Sequence, residues 1–268
     1  MTVTVPGPAL PVVDAEPGYR SPYSVRFSTP EVERMAGLDG APWNDPQMQA
    51  CIPFDRWYTP ETAAQWGPWG PRAYRYPAPA GRFRGRVARE RVVAVAAALI
   101  GLDYQHHHVP SWSPPADWPH HPVRSGRRGP GLDCSNFIGF VHSYALGITL
   151  PTQVVTQSEM HRSTTEGSCF THPIQVLPAT DHDAFVASLQ PADIVYIRSE
   201  AGVVSHAVLW LGDCGVGPGT TPLVLDSGSS GLLDAERSSI PAGVRIRPYR
   251  PVGWYARRTS HAHRVVPD

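Results

Sequence analysis

Proline is the residue that most restricts what this chain can build. Nearly half of its 30 prolines fall in the first 80 residues. Each removes a backbone donor and pushes the residue before it away from helical geometry. Long helices and central strands are therefore not expected in this stretch. The same residues carry Trp43, Trp57, Trp66 and Trp69, whereas disordered segments are poor in aromatics. Residues 1–80 read as a Pro/Trp-rich N-terminal extension, either an ordered arm laid against the rest or a compact small barrel of short strands. Residues 81–268 read as one domain with its own core.

From Phe83 the pattern changes. RFRGRVARERVVAVAAALIG places apolar residues at 87, 92, 95, 96, 99 and 100, which predicts a helix of about four turns stopped by Gly101. A loop rich in Pro, His and Trp follows. DCSNFIGFVHSYALG then carries Phe137, Ile138, Val141, Tyr144 and Ala145 on one helical face, with Gly147 as its end. DHDAFVASLQ reads as a helical turn or two. After Pro191 the period drops to two, and IVYIR, VSHAVLWLG, PLVLDS and GVRIRPYRPVGWY read as four strands. Helices followed by an antiparallel meander make an α+β pattern.

Several classes are disfavoured at once. Lys and Arg total 23, as do Asp and Glu, so no net charge is available to grip nucleic acid or anionic lipid. The longest apolar stretch, Val92–Ile100, has nine residues, and a membrane span needs about 20. The first residues show no basic start and no proline-free apolar run, so no secretory signal is readable. That fits a cytoplasmic protein, or an exported mature form without its signal. The four cysteines, Cys51, Cys134, Cys169 and Cys214, include no CxxC pair, which matches neither a zinc ribbon nor a dense disulfide framework. Cys51, Cys169 and Cys214 are read as structural.

Cys134 differs from them in its setting. It opens a predicted helix after a glycine-containing loop, where free amide groups and the helix dipole favour a thiolate. A nucleophile of this kind needs a base, and the base an orienter. His206 opens the strand HAVLWLG, and Asp226 ends the next strand, PLVLD. If those strands are neighbours, Asp226 reaches the far nitrogen of the imidazole. Asp133 is placed to cap the helix that carries Cys134.

Five blocks in order, ALIGLDY, GLDCSNFIGFVHSYALGITLP, PADIVYI, SHAVLWLGD and VLDSGSSG, resemble the NlpC family of papain-like cysteine peptidases. The resemblance runs from about Arg82 to Tyr255. It implies a small papain-like α+β fold, with the catalytic helix packed on a short antiparallel sheet. It also implies Cys134 as nucleophile, His206 as general base and Asp226 at the third polar position, where family members commonly have histidine. Tyr104 matches the family tyrosine beside the active site, and Asp133 and Ser135 flank the nucleophile. In members that cut murein peptides, the tyrosine and the aspartate hold the free amine of an N-terminal L-Ala. The implied substrate is a bacterial cell-wall peptide, cut between D-Glu and a diamino acid, with no cofactor; the lack of a readable signal and of a recognisable wall-binding module favours soluble muropeptides. The chain departs from the family at Gln105-His106-His107-His108 and at Asn136, which replaces the glycine of DCSG. These departures keep two alternatives open, a same-fold acyltransferase, deamidase or toxin-like amidase and, last, a catalytically silent binding module.

Two further clusters take plain readings. His106, His107, His108, His120 and His121 invite a metal, but adjacent side chains point apart and no paired cysteines stand nearby, so no metal site is assigned. Arg245, Arg247, Arg250, Arg257 and Arg258 read as a solvated basic face.

Overall fold

The computed structural model describes residues 10–11, 18–30, 32, 83–101, 103–104, 131–151, 153–165 and 171–266. Trp43, Trp57, Trp66 and Trp69, Cys51 and Cys169, and the histidines from His106 to His121 lie outside the described residues.

Within the proline-rich region two short strands form, β1 (Leu10–Pro11) and β2 (Ser24–Val25), paired antiparallel. β2 also pairs with Gly215–Val216 from the far part of the chain. Tyr23, Val25, Phe27 and Val32 enter the main core. A buried acid secures this segment. Glu90, fully buried on helix α1 (Gly85–Ala98), accepts from the Ser28 amide at 2.9 Å, the Ser28 hydroxyl at 2.6 Å and the Thr29 amide at 3.0 Å. The helix ends as expected just before Gly101, whose φ of +102° suits glycine.

β3 (Asp103–Tyr104) pairs in parallel with β4 (Gly131–Leu132), which sets Tyr104 directly beside the residue preceding Asp133. Helix α2 (Cys134–Leu146) follows, and Gly147 turns the chain at φ +70°. β5 (Ile148–Thr149), helix α3 (Val154–Ser158), β6 (Arg162–Thr165) and β7 (Thr171–Pro173) form a small three-stranded flank. Then come β8 (Gln175–Pro178) and helix α4 (His182–Ser188), the latter capped by Asp181 accepting from the Ala184 amide at 2.8 Å.

The central sheet holds β9 (Ile194–Arg198), β10 (Val204–Trp210), β12 (Leu223–Gly228), β13 (Gly243–Pro248) and β14 (Thr259–Arg264), with Gly215–Val216 as β11 outside it. Its order is β13-β12-β10-β9-β14-β8, all antiparallel. The four strands expected after Pro191 are the first four in that order. Two differences concern the last of them. The run GVRIRPYRPVGWY leaves the sheet at Pro248 and winds into helix α5 (Trp254–Arg258), and TSHAHR returns as a strand beside β9.

Period-two alternation divides the sheet into two buried faces. Ile194, Tyr196, Ala207, Leu209, Leu223, Leu225, Val244 and Ile246 pack with α1 and α2 in one cluster. Val195, Ile197, Val208, Trp210, Val224 and Tyr249 pack with Phe185 of α4 and Tyr255 of α5 in the other. The fold is thus α+β, with an antiparallel sheet covered on both faces. Among the described residues no helix is long and apolar enough to cross a membrane.

Candidate active site

Cys134 sits at the first position of α2 because Asp133 stops the chain there. The Asp133 carboxylate accepts from the Asn136 amide at 2.9 Å and from the Ser135 hydroxyl at 3.3 Å, a side-chain cap on the third helical position. Two outside contacts fix this first turn. Ser227 donates its hydroxyl to the Leu132 carbonyl, and the buried Gln157 of α3 donates Nε2 to the Ser135 carbonyl at 3.2 Å. Ser227 is the neighbour of Asp226, so one strand end ties the cysteine helix to the acid.

His206 reaches the same place through an irregularity. The β9–β10 register shifts between Val204 and His206, so two residues of β10 oppose one of β9. Such a bulge re-aims the side chain that follows it. The ring stacks on Tyr255, with centroids 6.1 Å apart and planes within 11°, and Trp254 lies 6.0 Å away.

β10 and β12 pair with Leu209 opposite Leu225 and Trp210 opposite Val224. Continuing that register sets Gly228 opposite His206 and Asp226 on the diagonal, within reach of a ring. His206 Nε2 lies 2.6 Å from Asp226 Oδ2. The Cys134 side chain also hydrogen-bonds the imidazole. The structure therefore brings Cys134, His206 and Asp226 together.

Charge explains how the group holds. Burial works against a charged His206, but the negative charge of Cys134, the hydrogen bonds to Asp226 and Cys134, and the Asp226 charge outweigh it and push the imidazole up to about 10. Burial would raise Asp226. The Arg247 charge, then the hydrogen bond and charge of His206 and the hydrogen bond from Tyr255, hold it below the ordinary carboxylate range. Tyr104 is raised by its own burial first, then by the charges of Cys134, Asp133 and Asp226. That phenol therefore shares the electrostatic surroundings of the site, alongside Asp133 and Ser135 on the first turn of α2.

Three neighbours of the site are not singled out by sequence reasoning. Arg247 Nε donates to Asp226 Oδ1 at 2.7 Å, Tyr255 donates its hydroxyl to Oδ2 at 2.7 Å, and Trp254 stands beside His206 while 40 % exposed. The expectation of a solvated arginine face fails at Arg245 and Arg247, which are 1 % and 0 % exposed. The period-two pattern held the signal. Val244 and Ile246 face the helices, so Arg245 and Arg247 must share the opposite face with Asp226, and a buried guanidinium requires an anion or carbonyls.

Cys214 is a free, buried cysteine whose thiol burial pushes well above the ordinary range. Among the described residues no group of three or more His, Cys, Asp or Glu side chains is arranged to hold a metal ion.

No family model matches the chain, and no curated protein matches it. Among solved structures, an NlpC/P60 family protein from Bacillus cereus ATCC 10987 is similar at 20 % sequence identity with a TM-score of 0.39. The match covers 71 % of this chain and 42 % of that one, so the aligned part is less than half the neighbour's length.

Proposed function

We propose that this chain is a cysteine peptidase or amidase that hydrolyses an amide bond in small bacterial cell-wall peptides, of the γ-D-glutamyl–diamino acid type. One observation carries the chemistry: His206 Nε2 lies 2.6 Å from Asp226 Oδ2, and the same imidazole hydrogen-bonds a cysteine at the start of a helix. Nucleophile, base and orienter in that order are what acyl transfer through a thioester requires.

His206 takes the Cys134 proton at Nδ1, and the sulfur attacks the scissile carbonyl. The Cys134 amide, at the start of α2, is the donor we assign to the developing oxyanion. His206 then gives its proton to the leaving amine, and the thioester remains. Water, deprotonated by the same nitrogen, releases the acid and restores the thiol. Asp226 accepts from Nε2 throughout and keeps the ring in one tautomer.

The substrate class rests on the blocks around Tyr104 and Cys134 and on the half-buried position of Tyr104 beside them. Asp133 caps α2, and we assign the same carboxylate, with Tyr104, to the free amine of an N-terminal L-Ala. Mass spectrometry of defined cell-wall peptides tests this, with free-amine peptides set against the same peptides attached to sugar. Cleavage of the free-amine set alone, between D-Glu and the diamino acid, is the expected result. Cleavage of both sets would overturn the role given to Tyr104 and Asp133. Cleavage of neither would overturn the substrate class, and transfer of the acyl group to an added amine would replace hydrolysis with acyltransfer.

Gly228 gives a narrower check. A Cβ at this position would lie 2.9 Å from Asp226 Oδ2, the oxygen that receives both His206 and Tyr255. Gly228→Ala is expected to displace that oxygen and lower kcat/KM by about 10²-fold, the usual effect of an ångström-scale misplacement. Unchanged kinetics in a folded Gly228→Ala protein would count against Asp226 as orienter.

A further inference from the structure

The mechanism passes through a state in which Asp226 loses one of its two neighbouring cations. Once His206 holds the Cys134 proton, the imidazolium and Arg247 are both cations beside Asp226. Once Cys134 carries the acyl group and His206 has given its proton to the leaving amine, sulfur and imidazole are both neutral. Asp226 is fully buried. A buried carboxylate without a counter-charge takes up a proton rather than remain ionised. A protonated Asp226 would no longer be the acceptor-only partner of Nε2–H, at the moment when His206 must draw a proton from water.

Arg247 is built to prevent this. Its side chain is fully buried, and Nε lies 2.7 Å from Asp226 Oδ1. The backbone holds it from the other side: Nη2 donates to the Pro241 carbonyl at 2.9 Å and to the Gly228 and Gly243 carbonyls at 3.4 Å. Its Nη1 is buried with no partner among the described residues. The guanidinium thus accepts a desolvation cost in order to sit on the one oxygen of Asp226 that His206 and Tyr255 leave open. A buried pair of this kind is a poor source of stability. Arginine, unlike lysine, keeps its charge when desolvated.

We propose that Arg247 is a positioning residue for the reaction, a permanent counter-ion that keeps Asp226 an acceptor-only carboxylate in the acyl-enzyme and so keeps His206 oriented for deacylation. This rests on the reading of Cys134 as nucleophile. Among the described residues, the ionisable groups facing Asp226 are His206 from β10, Arg247 and, directly opposite in the register, Arg245 from β13, and Tyr255 from α5; Cys134 and Tyr104 lie beyond, and Tyr19 faces Arg247. Arg247 is the cation with the largest lowering effect on Asp226.

p-Nitrophenyl acetate tests the proposal without the natural substrate. The Cys134 sulfur forms a bond to the acetyl carbon, the ester C–O bond breaks, and p-nitrophenolate leaves. Water then cleaves the thioester to acetate and free thiol. The rate at which intact protein loses the 134-linked acetyl group, followed by mass against pH, reports deacylation alone. In the wild type it rises with pH as the His206–Asp226 pair loses its proton. Removing a neighbouring positive charge raises the apparent pKa of that pair whichever member holds the proton. Arg247→Gln is therefore expected to move the limb upward by about 1–3 units, with tenfold or slower acetyl loss at neutral pH. Arg247→Lys, whose buried ammonium titrates, is expected to give a smaller shift in the same direction and serves if the glutamine variant does not fold. An unmoved limb in a variant that melts like wild type, whatever its rate, means that Arg245 and the hydrogen bonds suffice, and overturns the proposal. If wild type and Cys134→Ala are acetylated alike, the nucleophile assignment itself fails, and this one with it.

Discussion

Cys134→Ala is expected to cleave cell-wall peptides at least about 10⁴-fold more slowly than wild type, with only what binding and the backbone oxyanion donor supply left over, and to keep the fold. The chemistry explains the first half. His206 and Asp226 survive in the variant, but neither forms the thioester, and members of such a unit contribute little alone. The local structure explains the second half. Residue 134 opens α2 after an Asp133 cap that uses the Asn136 amide and needs nothing from the thiol. Alanine is the best helix former, and the first turn remains tied through Leu132 to Ser227 and through Ser135 to Gln157. Peptide turnover by mass spectrometry and thermal melting, read on the same preparation, check both halves. Residual turnover at a substantial fraction of wild type would remove Cys134 from the mechanism. A collapsed melt with lost turnover would leave its chemical role unproved, and iodoacetamide labelling of wild-type Cys134 would then decide its reactivity.

How much of this was legible without coordinates depends on whether a feature has a period. The helix of residues 85–98 and the strands of Ile194–Arg198, Val204–Trp210, Leu223–Gly228 and Gly243–Pro248 each alternate strongly enough to be found. Two-residue strands carry no period, so the Asp103–Tyr104 pairing with Gly131–Leu132, which seats Tyr104 beside the cysteine helix, has no sequence signal of its own. TSHAHR carries no readable strand signal for another reason. Its buried residues are Ala262 and His263, and a histidine inside the core looks polar on any hydropathy pattern. The docking of residues 18–30 depends on Glu90, an acid in the middle of a helix, which reads as surface until its partners Ser28 and Thr29 are seen.

The site divides in the same way. Cys134 is marked by the helix it opens, Asp133 by the cap it makes, and His206 and Asp226 by their strands, which run further than expected: His206 is the third residue of β10 and Asp226 the fourth of β12. What the sequence could not supply was register. Asp226 lies diagonal to His206 rather than opposite it, and only that offset, together with the bulge before His206, joins the two. The alternation of Arg245 and Arg247 with Val244 and Ile246 points to Arg247 without deciding it, since the same pattern also describes a half-solvated edge strand.

That buried arginine makes Asp226→Asn costly to stability as well as to activity. Asp226 accepts from His206, Tyr255 and Arg247 across its two oxygens. Asparagine keeps the shape but offers one acceptor and an NH₂ group that faces donors. It also leaves Arg247, fully buried, without its anion. Breaking a buried ion pair from one side typically costs about 3–5 kcal/mol, and at about 2–4 °C per kcal/mol for a domain of this size the melt should fall by roughly 10 °C. The sign with pH follows from the direction of the carboxylate's shift. Asp226 is held below its unfolded value, so its contribution is present above the unfolded carboxylate range and is lost as pH falls through the folded value. The gap between wild type and Asp226→Asn should therefore be widest near neutrality and close on acidification. Adding Arg247→Gln to Asp226→Asn removes the stranded cation, and the double variant should melt above the Asp226→Asn single variant, the non-additivity expected of groups in contact. It should not regain turnover, because His206 still lacks its carboxylate. Recovered stability with lost activity would separate the two roles of Asp226; a double variant no more stable than Asp226→Asn would mean that the lost hydrogen bonds, and not the unpaired charge, set the cost.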